Sequence, residues 1–274
     1  MQNINILYIF DIKKNSMNTN KNIREVFNVF QDKESFFAEI DRKKSNQLIF
    51  KQIFVICLFG FIYGIIMGSY QSYLQAIVAG IKVMVLFITT LLICFPSFYI
   101  IQQVLGSKMS FRQMVLIVLS GFVLASTITL SFAPVIIFFL ITGSNYHFLQ
   151  LLHVAIFIFA GIFGMRLMID ALKYACEKKN IYPQVGVTVF KIWIIILAFV
   201  GIQLSWNLRP FLGDKNEDFR LFRKYKGNFY TAIVYSFEQL FSKQETEEDN
   251  TGKNKSETNK YQESDTTNLL KFMK

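Results

Sequence analysis

The sequence predicts an all-α fold: a polytopic transmembrane helical bundle of about five membrane segments, flanked by amphipathic helices. Three observations predict it. The chain is 53% hydrophobic with 30 Phe and a positive mean hydropathy, a composition of membrane proteins rather than of soluble domains. Between Gln52 and Asn207 the apolar residues collect into five blocks, Ile53–Ser69, Ile77–Ile101, Met114–Thr142, Phe148–Leu172 and Val187–Trp206. About 20 apolar residues cross a hydrocarbon slab of roughly 30 Å, because a helix rises about 1.5 Å per residue, so the second, fourth and fifth blocks are ordinary spans. Within the blocks, small residues recur four apart, the spacing by which helices pack closely in lipid.

Residues 1–22 hold a short apolar run, Ile4–Phe10, and then an Asn-, Lys- and Ser-rich stretch without period, read as a flexible extension. In residues 23–52, Ile23, Phe27, Phe30, Phe37 and Ile40 approach a helical period, with Asp32 and Ser35 as cap residues. They predict one or two amphipathic juxtamembrane helices on the cytoplasmic interface. Arg42, Lys43, Lys44 and Lys51 favour anionic lipid headgroups there, at about 1 kcal/mol per basic residue near the surface. No secretory leader is expected, since the first long apolar run follows this basic segment and serves as its own insertion signal.

Residues 53–206 form the bundle. Gly60, Gly64 and Gly68 fall on one face of the first span and are the expected helix-packing residues, against another span or a second copy of the chain. Gly121 with Ala125, and Ala160 with Gly164, repeat the spacing in blocks three and four. Residues 207–242 make a basic-aromatic juxtamembrane segment with Trp206 and Tyr225 as interfacial anchors. An amphipathic helix over Phe229–Phe241 follows, lying on the membrane or packing on the bundle. Residues 243–274 read as a disordered polar tail.

Basic residues orient the chain. Nine lie in residues 1–52, none at 70–76, two at 102–113, none at 143–147, and three at 173–186, an alternation that places the N-terminus in the cytoplasm. Six more follow the fifth block: Arg209, Lys215, Arg220, Arg223, Lys224 and Lys226. Five crossings leave 14 basic residues inside and 6 outside, whereas a third block that dips in and returns leaves 17 and 3. That block is 29 residues long with Pro134 as a break point, so a re-entrant path and a single kinked helix both remain open.

Ionisable residues at membrane depth are costly and mark candidate sites. Here they are Lys82, His153, Arg166, Asp170 and Lys191. Most lie near a block end, where their heads snorkel to the headgroups. Arg166 and Asp170, four apart on one helix, are expected to neutralise each other, and His153 is the first residue to suspect of an intramembrane role. A second candidate surface, for a partner or lipid, gathers Arg209, Phe211, Arg220, Arg223, Asn228 and Tyr230 beside the membrane.

The search for catalytic parts returns nothing: two His, no HExxH, no GxSxG, no phosphate-cradling glycine loop and no paired carboxylates within the blocks. Neither an enzyme nor a cofactor is expected, and no catalytic, cofactor-binding or metal-ligating residue is assigned. Cys57, Cys94 and Cys176 form no disulfide framework; Cys176, among Lys173, Lys178 and Lys179, is a site for reversible acylation at most. The net charge of +10 is juxtamembrane and implies no nucleic acid.

Ser35-Phe-Phe-Ala-Glu-Ile40, Phe61-Ile-Tyr-Gly64, Leu92-Ile-Cys-Phe-Pro96, Val104-Leu-Gly-Ser-Lys108, Ser205-Trp-Asn-Leu-Arg-Pro-Phe-Leu-Gly213 and Gly227-Asn-Phe-Tyr230 carry a resemblance over residues 24–242. In them the chain resembles an uncharacterised family of bacterial polytopic membrane proteins. More loosely, it is similar to the Yip superfamily, which implies an acidic-aromatic N-terminal helix, five spans and work in trafficking or membrane organisation; the extended tail after Trp206 departs from that plan. The expected function is a non-enzymatic membrane scaffold, adaptor or organiser in the bacterial inner membrane, with an oligomeric channel or small transporter as the alternative. The expected partners are anionic lipids, further copies of the chain or other membrane proteins.

Overall fold

Lipid offers no partner to a backbone N–H or C=O, so each apolar block closes its hydrogen bonds internally as a helix. The computed structural model describes residues 45–143, 145–177, 183–213, 221 and 229–238, and helix is the only regular structure among them. Six helices follow in order: α1 (Ser45–Gly68), α2 (Tyr73–Val104), α3 (Phe111–Ser131), α4 (Ala133–Ile141), α5 (Tyr146–Glu177) and α6 (Gln184–Leu208). A short α7 covers 229–238. Five are long and apolar enough to cross a membrane, α3 and α4 counting together as Phe111–Ile141. The protein is thus an all-α integral membrane protein. At 32 residues each, α2 and α5 measure about 48 Å and project beyond a hydrocarbon slab of roughly 30 Å.

Local chemistry sets the breaks. Ser72 caps α2 by accepting from Gln75 N–H at 3.2 Å, and Ser110 and Gln113 form a reciprocal capping box at the start of α3. Ser45–Gln52, which the sequence assigns to a juxtamembrane helix, is continuous with the first span. The rest of that segment and the tail beyond residue 238 lie outside the described residues.

The third block bends without turning back. Phe132 N–H is shared between Ile128 O at 3.3 Å and Thr129 O at 3.2 Å, and Pro134 in the first turn of α4 contributes no N–H, so the helix kinks and restarts. Two apolar cores fix the direction of each pass. One joins Leu48 at the start of α1, Phe98 late in α2, Met114 early in α3, Leu172 late in α5 and Phe190 early in α6. The other joins Met67 at the end of α1, Val83 in the first half of α2, Ile136 in α4, Leu149 early in α5 and Leu212 beyond α6. Block three therefore runs once from the first core to the second. Of the two paths open to the sequence, the structure takes the single kinked helix, and Ser45 and Arg209 stand at opposite ends of the bundle.

In the packing, α1 lies chiefly on α2, α3 fits between α1 and α5, and α6 packs on α2 and α5. Buried polar bonds tie neighbours at the first-core end: Gln52 Nε2 donates to Ser120 Oγ at 2.9 Å, and Trp193 Nε1 to Cys94 O at 3.1 Å.

Candidate functional site

The polar groups buried at the second-core end rest on a tight helix pair. A Cβ built on Gly64 would lie 2.6 Å from Ala79 O and 2.7 Å from Gly80 Cα, and one on Gly68 would lie 2.6 Å from Gln75 O. Such distances tolerate no side chain, so Gly64 and Gly68 let the backbones of α1 and α2 touch. Gly60, with its built Cβ 3.2 Å from the Phe87 ring, extends the same contact. All three packing glycines thus face a neighbouring span of the same chain. Gly121 and Gly164 meet in the same way between α3 and α5.

Close approach of α1 and α2 brings Tyr63 and Lys82 into the interior. Tyr63, fully buried, shares a hydrogen bond of 2.9 Å with His153 Nδ1 of α5, and its ring also meets the Phe157 ring edge-on. His153 is buried, and its Nε2 has no hydrogen-bond partner. The pair joins the first span to the fourth.

Lys82 does not snorkel outward. Its side chain is buried and its Nζ donates to Pro210 O at 3.0 Å and to Leu221 O. Two turns earlier on the same face of α2, Gln75 Nε2 donates to Pro210 O at 3.0 Å and to Phe211 O at 3.1 Å. Together they hold a return loop, Arg209–Gly213, whose Leu212 is buried in the second core and whose Phe211 packs against it. Irregular backbone is tolerated at this depth only where its carbonyls are bonded, and an ammonium and an amide do this here. Gly213, with φ at +68°, lets the loop turn against the Gln71 side chain, a conformation that other L residues rarely adopt.

The remaining sequence candidates disperse. Arg166, Asp170 and Lys191 are exposed on the outer faces of α5 and α6, in their halves nearest the first core. No ion pair joins Arg166 to Asp170 among the described residues, so the expected neutralisation is not formed. Arg209 stacks its guanidinium 3.3 Å from the centroid of the Trp206 ring, and Tyr230 lies exposed on α7. Arg220, Arg223 and Asn228 lie outside the described residues. Among the described residues no cluster of three or more His, Cys, Asp or Glu is placed to hold a metal.

Sequence reasoning missed Gln75 and Tyr63. Their signal was a lone amide one turn into an apolar helix and a lone phenol on a glycine face, since a polar side chain in lipid implies a bonded partner. Compared with known proteins, the chain matches no family model, no curated protein and no solved structure.

Proposed function

We propose that this membrane protein works without turnover, as a scaffold, adaptor or organiser that holds partners at a bacterial inner membrane with its N-terminus in the cytoplasm. One observation carries the reading: Lys82 and His153, the buried basic residues among those described, bond the chain itself, Lys82 to the return loop and His153 to Tyr63. A conduction path or a substrate site needs polar groups turned to a lumen or a ligand. Here they hold the bundle together, and the glycine faces are filled by spans of the same chain. With five passes, 14 basic residues gather at the N-terminal end and 6 at the other, which supports a cytoplasmic N-terminus. The same course of five passes suits the Yip-like plan, and the segments outside the bundle offer the binding surfaces.

Cross-linking of the full chain in native membranes tests this. A reproducible partner, lost when residues 1–44 are deleted, is expected; a chain recovered alone overturns the reading. The second reading, an oligomeric channel or small transporter, draws on four buried polar atoms without partners, His153 Nε2 and the Oε1 of Gln52, Gln75 and Gln102. Flux into proteoliposomes under imposed pH gradients and potentials should match protein-free vesicles. Flux that His153→Leu abolishes would establish the second reading instead.

A further inference from the structure

α7 runs across the end of the bundle. Phe229, its first residue, meets the ring of Trp206 with centroids 6.4 Å apart, two residues before α6 ends. Its Ser236 Oγ lies 3.4 Å from His147 Nδ1 and 3.4 Å from Gln150 Oε1, both in the first turns of α5. The seven-residue step from Phe229 to Ser236 measures about 10 Å, the distance between the axes of neighbouring packed helices. α7 therefore bridges α6 and α5 with its axis transverse to theirs, parallel to the plane of the membrane they cross. His147 and Gln150 stack along one face of α5, so α7 lies beside that helix's terminal turns and not over its end.

The far side of α7 carries an apolar strip, Tyr230, Val234 and Phe237, edged by exposed Thr231 and Glu238. Ser236 on the inner face is 2% exposed, whereas Tyr230 and Val234, one turn apart, are 51% and 56% exposed. The level is interfacial, because Trp206 with the Arg209 cation on its ring is the amphipathic pair that favours the boundary between headgroups and acyl chains. The apolar outer surface of α6, with Ile192, Ile195, Ile196 and Phe199 exposed, leads up to that same tryptophan. Between α6 and α7 the sequence carries Arg209, Lys215, Arg220, Arg223, Lys224 and Lys226, which favour anionic headgroups.

We propose that α7 is an in-plane interfacial helix whose inner face clasps α5 and α6 and whose Tyr230–Val234 stripe is covered by phospholipid. This goes beyond the scaffold reading and does not depend on it. The test places photoreactive benzoylphenylalanine at Val234 of the full chain, in vesicles of phosphatidylcholine and phosphatidylglycerol. The same label at Phe138, 59% exposed on α4, checks insertion. A phospholipid adduct at both positions is expected. A covalent dimer at 234 would assign the stripe to a second copy, and an unmodified 234 beside a lipid-labelled 138 would assign it to water; either overturns the proposal. Should the 234 variant fail to insert, the label at Tyr230 on the same stripe gives the same three outcomes.

Discussion

Lys82 shows how a single charge at membrane depth becomes structural. Its ammonium and the Gln75 amide bond the carbonyls of the return loop, so Lys82→Met leaves Pro210 O and Leu221 O short of a donor while the aliphatic stem is kept. A charge-assisted hydrogen bond contributes about 1.5–3 kcal/mol. The variant should lose about that much, read as faster hydrogen exchange at Arg209–Gly213 with little change in the passes themselves; unchanged exchange would remove the latch role. Tyr63 and His153 make the complementary case. Tyr63→Phe strips His153 Nδ1 of its hydrogen-bond partner and should cost about 1–2 kcal/mol of thermal stability in detergent, the upper range for a polar bond between membrane helices. Adding His153→Leu should restore most of the loss, because neither position of the pair then holds an unpaired polar group. A double variant as unstable as the sum of its parts would show that packing, not polarity, governs the pair.

At the scale of elements, the glycine spacing in α1 was legible as a packing face, and what it packs on was not. Four-residue spacing puts Gly60, Gly64 and Gly68 on one side of a helix by geometry alone. That α2 fills that side follows from the short Ser69–Ser72 turn, which returns the chain beside α1. Gly64→Leu must push the Ala79 and Gly80 backbone away, so a loss of about 3 kcal/mol or outright misfolding is expected. Gly161→Leu is the control: its built Cβ meets only Met165 Cε, at 4.0 Å, and the variant should melt within about 0.5 kcal/mol of the parent. Equal damage at both sites would mean that helix propensity rather than close approach sets the cost. The kink at Phe132 was readable from Pro134, since proline removes an N–H wherever it stands. Its sense was not, because a bend and a re-entrant turn begin with the same missing bond.

For the whole molecule, the number of passes decides where the tail lies. One kinked pass through α3 and α4 makes the count odd, and Asn46 and Leu221 should react with a membrane-impermeant maleimide from opposite sides when replaced singly by Cys in a cysteine-free chain. Labelling from the same side would restore an even count. Hydrophobic length and composition by themselves determined that the chain is an all-helical membrane protein with five apolar segments. Each segment must satisfy its own backbone in lipid, and that demand is local. Three features were left to the tertiary structure: the direction of the third pass, the burial of Lys82 under the return loop, and the pairing of Tyr63 with His153. Each depends on residues distant in sequence arriving at one depth, and periodicity within a helix carries no information about which neighbour comes to stand beside it.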